Sequence, residues 1–541
     1  MSKWTAIAVL GSAQFVMVLD STVMNVSIST VVTDLDTTVA AMQSAITFYT
    51  LTMAAVMLLG AKLGDIWGRR RAFVIGAIVY SCGSLLTALS PNFAVLFLGW
   101  SVIEGLGAVL VIPAIAALVA ENYRDRDRVT AYAIIGAVSG AAVAAGPLIG
   151  GYVTTYLNWR YVFVAEVVIM IGVVLTGRLI SDTSKPSSTR IDVPSVLLSA
   201  AGLVLVVYGM LQSKTWGWIL PKQAPEINGT RIEPLGLSLV PYLILLGVFL
   251  LWLFTGRQRR LRETGRATLL DVGMFSITQL RSGLSVLGAQ YAFTAGVFFM
   301  IPIYLQMTLG LNALETGLKI FPLSIALILF SVVGTRLSTL WSPRRIVRVG
   351  QLVLVGSAVC LLGSVSLDLR SVVFGIGMFT AGAALGLLAS QLGNVNMSSV
   401  GEERTSEVGG LQGVFQNLGS SLGTALIGSV LIASLSTSFH SSVQSSSLPD
   451  SVKSAVSTQT EAGIAIVPVS SVAGIATDAG LSSSDSAELT TIYSESQVSS
   501  LRVSFFVLIL VALGSLLFSR NIPNQTVARR EGKARAARQT P

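Results

Sequence analysis

Apolar residues run through this chain in long unbroken stretches, each closed by a short polar or basic link. Fourteen such segments can be marked: 5–29, 41–61, 72–90, 95–118, 129–152, 161–180, 193–212, 237–256, 284–308, 316–337, 348–366, 371–395, 409–434 and 501–519. At about 20 residues, each suits a helix that crosses the hydrocarbon core of a bilayer. A membrane barrel would instead need strict alternation over about ten residues per strand. The pattern therefore predicts an all-α membrane protein with fourteen spans. The first segment continues from Met1 with no small-residue cleavage site before Asp20, which predicts a retained helix rather than a removed leader.

The links are not alike on the two sides. With the N-terminus placed in the cytoplasm, all but eight of the 36 Lys and Arg fall in cytoplasmic links or in the tail after Arg520. That asymmetry orients the chain, and an even number of spans leaves both termini on the same side. The cations therefore answer to membrane topology and anionic lipid, and the net charge of +9 does not imply nucleic acid.

Two of the basic links are copies. Residues 60–76 (GAKLGDIWGRRRAFVIG) align without a gap to residues 334–350 (GTRLSTLWSPRRIVRVG), with Gly60/Gly334, Leu63/Leu337, Trp67/Trp341, Arg70/Arg344, Arg71/Arg345 and Gly76/Gly350 in register. Duplicated halves are a common way to build a transporter whose midplane site opens to alternate sides. The offset predicts two six-helix bundles with two extra helices between them. We divide the chain into 1–190 (first bundle), 191–266 (inserted helices 7 and 8, with outer loop 213–236), 267–520 (second bundle, with outer loop 435–500) and 521–541 (basic tail). The first outer loop holds Trp216, Trp218 and a chance sequon, Asn228-Gly-Thr230. The second, rich in Ser, Thr, Ala and Val, is expected either to fold as a small cap or to stay mobile.

Composition agrees. The chain is 52% hydrophobic and 12% charged, half the ~25% of a soluble domain. Its 51 glycines suit helices that approach closely in lipid. Cys82 and Cys360 sit in apolar segments and read as small buried hydrophobes without a disulfide. The single histidine, His440, lies in the outer loop. No Cys/His cluster, Walker loop or nucleophile elbow occurs, so no metal, no cofactor, no ATP use and no enzymatic activity are expected.

Several motifs carry a family resemblance. Residues 62–71 (KLGDIWGRRR) resemble the loop 2–3 signature of the major facilitator superfamily, with Leu63, Gly64, Asp65, Gly68, Arg69 and Arg70 on the pattern. The resemblance implies a cytoplasmic gate held by Asp65 and Arg69, with Gly68 and Arg70 beside them; Thr339 replaces the acid in the second copy. Residues 136–151 (GAVSGAAVAAGPLIGG) resemble the helix-5 signature of the antiporter branch, through Gly146, Pro147, Gly150 and Gly151. Residues 19–26 (LDSTVMNV) resemble the helix-1 signature of the fourteen-span drug:proton antiporters, through Leu19, Asp20, Thr22, Val23, Asn25 and Val26. Asp20 would lie about eight residues from the outer end of its span, hence roughly 12 Å deep. An acid there is costly unless it faces a cavity, holds a proton or meets a cation.

The helix-4 signature is altered. In residues 98–108 (LGWSVIEGLGA), Gly105 and Gly107 hold, but Ser101 stands where the family has Arg and Glu104 where it has Gln. Glu104 falls at the depth of Asp20, and two carboxylates close together in low dielectric favour retention of one proton near neutral pH. Glu166 is a third intramembrane acid, expected nearer the outer surface and equally able to pair with Arg160 or to serve transport. Trp159-Arg160 resembles the family's helix-6 entry. In the second half no comparable buried acid occurs, since Glu315 and Asp271 lie near helix ends. Tyr304, Gln306, Gln391, Asn394, Asn396, Gln412, Gln416 and Asn417 are polar groups on apolar helices, mostly expected to bond between helices. Of these, Tyr304, Gln306, Gln391 and Asn394 are candidates for a cavity wall.

The reading is a monomeric secondary exporter in the inner membrane of a bacterium, resembling drug:proton antiporters. It would exchange protons, held on Asp20 or Glu104 with Thr22, Asn25 and Glu166 nearby, for a lipophilic and possibly cationic small molecule. Gating is assigned to Asp65, Arg69, Arg70, Gly68, Gly146, Pro147 and Gly150. The alternative is an exporter of a lipid or cell-envelope precursor on the same fold.

Overall fold

A computed structural model describes residues 4–37, 39–182, 191–227, 230–401, 404–460, 464 and 466–525. Asn228 and Gly229 of the sequon and the basic run after Gln525 lie outside them. Sixteen helices follow in order: α1 (Thr5–Asp34), α2 (Val39–Trp67), α3 (Arg69–Ala88), α4 (Phe93–Asn122), α5 (Asp125–Tyr156), α6 (Arg160–Thr176), α7 (Val193–Trp216), α8 (Leu239–Glu263), α9 (Thr278–Thr308), α10 (Ala313–Leu337), α11 (Pro343–Ser364), α12 (Ser371–Met397), α13 (Thr405–Ser445), α14 (Asp450–Thr460), α15 (Val469–Asp478) and α16 (Ser483–Phe518). All but α14 and α15 are long and apolar enough to span a bilayer, giving fourteen spans where the apolar pattern put them. A two-residue hairpin, β1 (Glu226–Ile227) with β2 (Thr230–Arg231), decorates the link before α8.

The repeated glycines do the same packing in both halves. A Cβ on Gly60 would stand 2.3 Å from the Val109 carbonyl of α4, and one on Gly334 would stand 2.2 Å from Ser390 of α12. Gly76 and Gly350 likewise press α3 onto α4 and α11 onto α12. Small residues are required because helices in lipid associate through close van der Waals contact rather than through a hydrophobic driving force.

Helix α7 packs against α2 and α13, while α8 leans mainly on α7. The pair is anchored by Asp192, which caps α7 through the Ser195 N–H and accepts two 2.7 Å bonds from the Arg257 guanidinium. This fork holds the Asp192 carboxyl well below the usual carboxylate range. A depressed carboxylate contributes stability that is present above its unfolded value, near 3.9, and lost as pH falls through the folded value. Asp192→Asn is therefore expected to cost about 1 kcal/mol at neutral pH, with the difference from the parent narrowing in thermal melts taken below about pH 4.

The long outer loop is folded. α13 continues well past its apolar segment and α16 starts 18 residues before its own, so both helices project beyond the span. With α14 and α15 they enclose a separate core of Leu435, Phe439, Val443, Leu448, Val472, Leu489 and Tyr493. Of the two expectations for this region, the cap is the one realised. Cys82 is exposed on its helix surface and Cys360 is half-buried, both as free thiols, so neither is the buried core residue expected. A transmembrane helix can present such small groups to lipid without penalty.

The two halves meet tightly at the end where the basic hinges lie. Gly136 touches Ala389, Gly393 touches Tyr132, Gly410 touches Ala61 and Gly413 touches Met57. Arg128 of α5 donates to Asn394 of α12 at 3.1 Å. Toward the other end the halves separate around a cavity.

Candidate functional site

The cavity has a volume of about 1700 Å³ and extends to the end opposite the basic hinges, where Lys222 and Gln223 line it with Ser436 and Thr437 of α13. Its wall comes from both halves, including Thr22, Tyr49 and Trp100 from the first and Gln290, Gln306, Gln412 and Gln416 from the second. A drug-sized pocket needs ~300–1,000 Å³, so this one takes a bulky ligand.

Behind the first-half wall lie three acids. Asp20 (α1), Glu104 (α4) and Glu166 (α6) are each 0% exposed, and a carboxylate oxygen from each lies within 4.8 Å of the others. Glycines make the approach possible: a Cβ on Gly83 of α3 would meet the Glu104 N–H nitrogen at 2.6 Å, and one on Gly107 would meet the Tyr80 nitrogen at 2.5 Å. A π-helical stretch over Phe97–Glu104 carries both Trp100 and Glu104, a geometry common at functional sites.

The three acids are supported unequally. The Trp100 indole N–H donates to both Asp20 oxygens, at 2.8 and 3.0 Å. Ser84 Oγ donates to Glu166 at 2.9 Å. Both Glu104 oxygens and one Glu166 oxygen are buried and make no well-formed hydrogen bond among the described residues; the Tyr80 hydroxyl and the Asp20 carboxyl are the polar groups beside Glu104. Ser101, standing where the family has Arg, turns away and donates to the Ala45 carbonyl at 2.8 Å.

Asp20 and Glu104 do not line the cavity: Trp100 stacks on Tyr49 at 5.1 Å and 3° between planes, and these two rings stand in the wall in front of the acids. One expectation is corrected here. Glu166 is neither near the surface nor paired with Arg160. Arg160 instead binds Asp34 and the Ser90 carbonyl at the helix end, which leaves Glu166, one and a half turns on, free to face inward.

The helix-1 and helix-5 signatures meet each other. A Cβ on Gly146 would lie 1.9 Å from Thr22 Oγ1 and 2.5 Å from its Cβ, while Gly150 packs on Val23. Thr22 itself bonds back to the Leu19 carbonyl at 2.8 Å and reaches the cavity wall. The side chains of Asn25 and Pro147 lie outside the described residues. In the basic hinge, Gly68 adopts φ +93° between α2 and α3, a left-handed turn that favours glycine. Arg69 is 6% exposed and pairs with Glu121 of α4 at 3.4 Å. The Arg70 N–H bonds Asp182 at 2.9 Å, and Asp65 sits in the last turn of α2.

Among the cavity candidates of the second half, only Gln306 lines the cavity. Tyr304 is fully buried and donates to the Ser366 carbonyl at 2.8 Å. Gln391 ties α12 to the Gly334 carbonyl at 3.2 Å, and Asn394 accepts from Arg128. Their polar groups are engaged in packing, because an amide or phenol buried in lipid must find a partner. Trp100, Tyr49 and Tyr80 escape motif reading. Their signal was available: an indole or phenol deep in an apolar span needs a polar partner.

Trp100→Phe retains the ring over Tyr49 and removes both contacts to Asp20. Hydrogen bonds to a charged partner contribute ~1.5–3 kcal/mol. We expect the variant to be less stable by about that amount in thermal unfolding, with the fold retained.

Fourteen spans around a deep cavity, sealed at one end by paired hinges and open at the other, define a membrane transporter. The family described as the Major Facilitator Superfamily matches residues 10–424, and the chain belongs to it. It is 28% identical to the puromycin resistance protein pur8 of Streptomyces alboniger over 79% of this chain and 82% of that protein. It is 26% identical to the probable actinorhodin transporter of Streptomyces coelicolor over 79% of this chain and 72% of that protein. The human organic anion transporter MFSD10 superposes over 96% of this chain and 100% of its own, with TM-score 0.57 and 12% identity, a likeness of fold.

Proposed function

We propose that this protein is a proton-coupled exporter of lipophilic small molecules, working by alternating access in a bacterial plasma membrane, with both termini cytoplasmic and each copy acting alone. The observation that carries the reading is the sealed acid cluster one aromatic layer behind the cavity wall. Three adjacent anions would repel by about 3 kcal/mol per pair even at an effective dielectric near 20. A charge on Glu104 would in addition be fully desolvated, with only the Tyr80 hydroxyl beside it as a donor among the described residues, whereas a neutral Glu104 has an O–H to give to a neighbouring carboxylate. The cluster is thus suited to hold protons and to change their number when the cavity is occupied. Proton entry from the outer side would reset the carrier after release, and each charge moved across 100 mV supplies about 2.3 kcal/mol.

The supporting contacts match a cycle of this kind. The hinge end is closed, and its clasp between the halves runs through the Arg128–Asn394 bond and the glycine contacts, so opening inward requires these to part. The puromycin and actinorhodin relatives carry names of resistance or transport of such compounds. The test is export from proteoliposomes under an imposed pH gradient, with chloramphenicol, puromycin and ethidium as probes. Gradient-dependent movement that a protonophore abolishes supports the proposal. Movement indifferent to the gradient, or confined to phospholipid analogues, rejects it.

A further inference from the structure

We infer that the carried molecules are uncharged, bulky and rich in carbonyl and hydroxyl groups, and that side-chain amides of the second half grip them; the inference rests on the exporter reading of this cavity. The described wall contains no carboxylate, and its only formal charge is Lys222 at the outer rim. The acids that a cation would seek are shut behind Trp100 and Tyr49, which stack on each other. A cation in mid-cavity would lose hydration and meet no counter-charge.

What the wall offers instead is amide. Gln290 and Gln306 of α9, and Gln412 and Gln416 one turn apart on α13, all reach the cavity. The Gln290 side-chain amide oxygen, Oε1, is buried without any hydrogen-bond partner among the described residues. Each amide presents two donors and an acceptor without charge, so it serves a ligand carbonyl or hydroxyl equally. The aromatic rings of Tyr291, Phe298 and Phe299 stand on the same side of the wall, a surface for a flat ring system. The halves thereby divide the labour, with protons held in the first and ligand recognised chiefly by the second.

The experiment is equilibrium binding to the purified full chain in detergent, comparing 1,8-dihydroxyanthraquinone and chloramphenicol, both uncharged, with ethidium, a permanent cation. The parent is expected to bind the uncharged probes at least tenfold more tightly than ethidium. Gln290→Leu and Gln416→Leu should each weaken uncharged binding about three- to tenfold, the effect of one lost neutral hydrogen bond. If those variants do not purify as single species, Gln416→Glu gives a separate readout, since an acid on the wall should raise ethidium affinity. Equal binding of ethidium by the parent overturns the inference, as do Leu variants that bind the uncharged probes like the parent, or a Glu variant with unchanged ethidium affinity. No gradient is imposed, so a failure of proton coupling would leave these affinities intact and remain distinguishable.

Discussion

Glu104→Gln is expected to abolish gradient-driven export while leaving ligand binding in place. Glu104 is fully buried and absent from the cavity wall, with the Tyr80 hydroxyl and the Asp20 carboxyl as its polar neighbours. The substitution keeps the side-chain shape and removes the one atom that can take and release a proton. If coupling requires the cluster to change its proton count, the initial export rate should fall by about two orders of magnitude, the scale of one lost proton-transfer group. Asp20→Asn should behave similarly, because the Trp100 N–H keeps an acceptor but the exchangeable proton is gone. Glu166→Gln should retain part of the rate, since Ser84 continues to hold the side chain. A Glu104→Gln protein that exports like its parent would remove the cluster from the mechanism.

The second large effect concerns the α1–α5 seam. Gly146→Val should reduce export to background and lower stability by about 3 kcal/mol, at the upper end for overpacking. Even the first carbon of a side chain at Gly146 falls 2.5 Å from Thr22 Cβ, and only the Thr22 hydroxyl can swing aside. Helix α1 must then move away from α5, and Thr22 sits two residues from Asp20. Pairing Gly146→Ala with Thr22→Gly transfers the methyl to the opposing helix and should restore much of the thermal stability. A Gly146→Val protein with parental melting temperature and transport would show that the two signatures do not clasp each other.

Much of this was readable from the chain because lipid enforces simple rules. Long apolar runs locate the spans. The copied hinge announces duplicated halves, and the Gly60/Gly334 and Gly76/Gly350 pairs indeed make equivalent contacts. Asp20 and Glu104 stand out since acids in apolar helices need a reason. Glu166 was harder to place, because its partner depends on which way α6 faces, and Arg160 lies close enough in sequence to suggest a local pair. The aromatic layer of Trp100 and Tyr49 was invisible to motif matching: it arises from a contact between α2 and a π-helical turn, which no periodicity announces. The cap was equally hidden, since Ser- and Thr-rich extensions of α13 and α16 lose hydropathy where the helices leave the bilayer yet keep winding.

The central claim is that the sealed acids hold a proton at neutral pH, and infrared spectroscopy of the purified protein reads it directly. A neutral carboxylic acid has a carbonyl stretch distinct from that of a carboxylate, and it shifts in heavy water once exchange reaches the site. The account predicts such a band in the parent at neutral pH and its loss in Glu104→Gln. Spectra with carboxylate bands alone, identical in parent and variant, would contradict it.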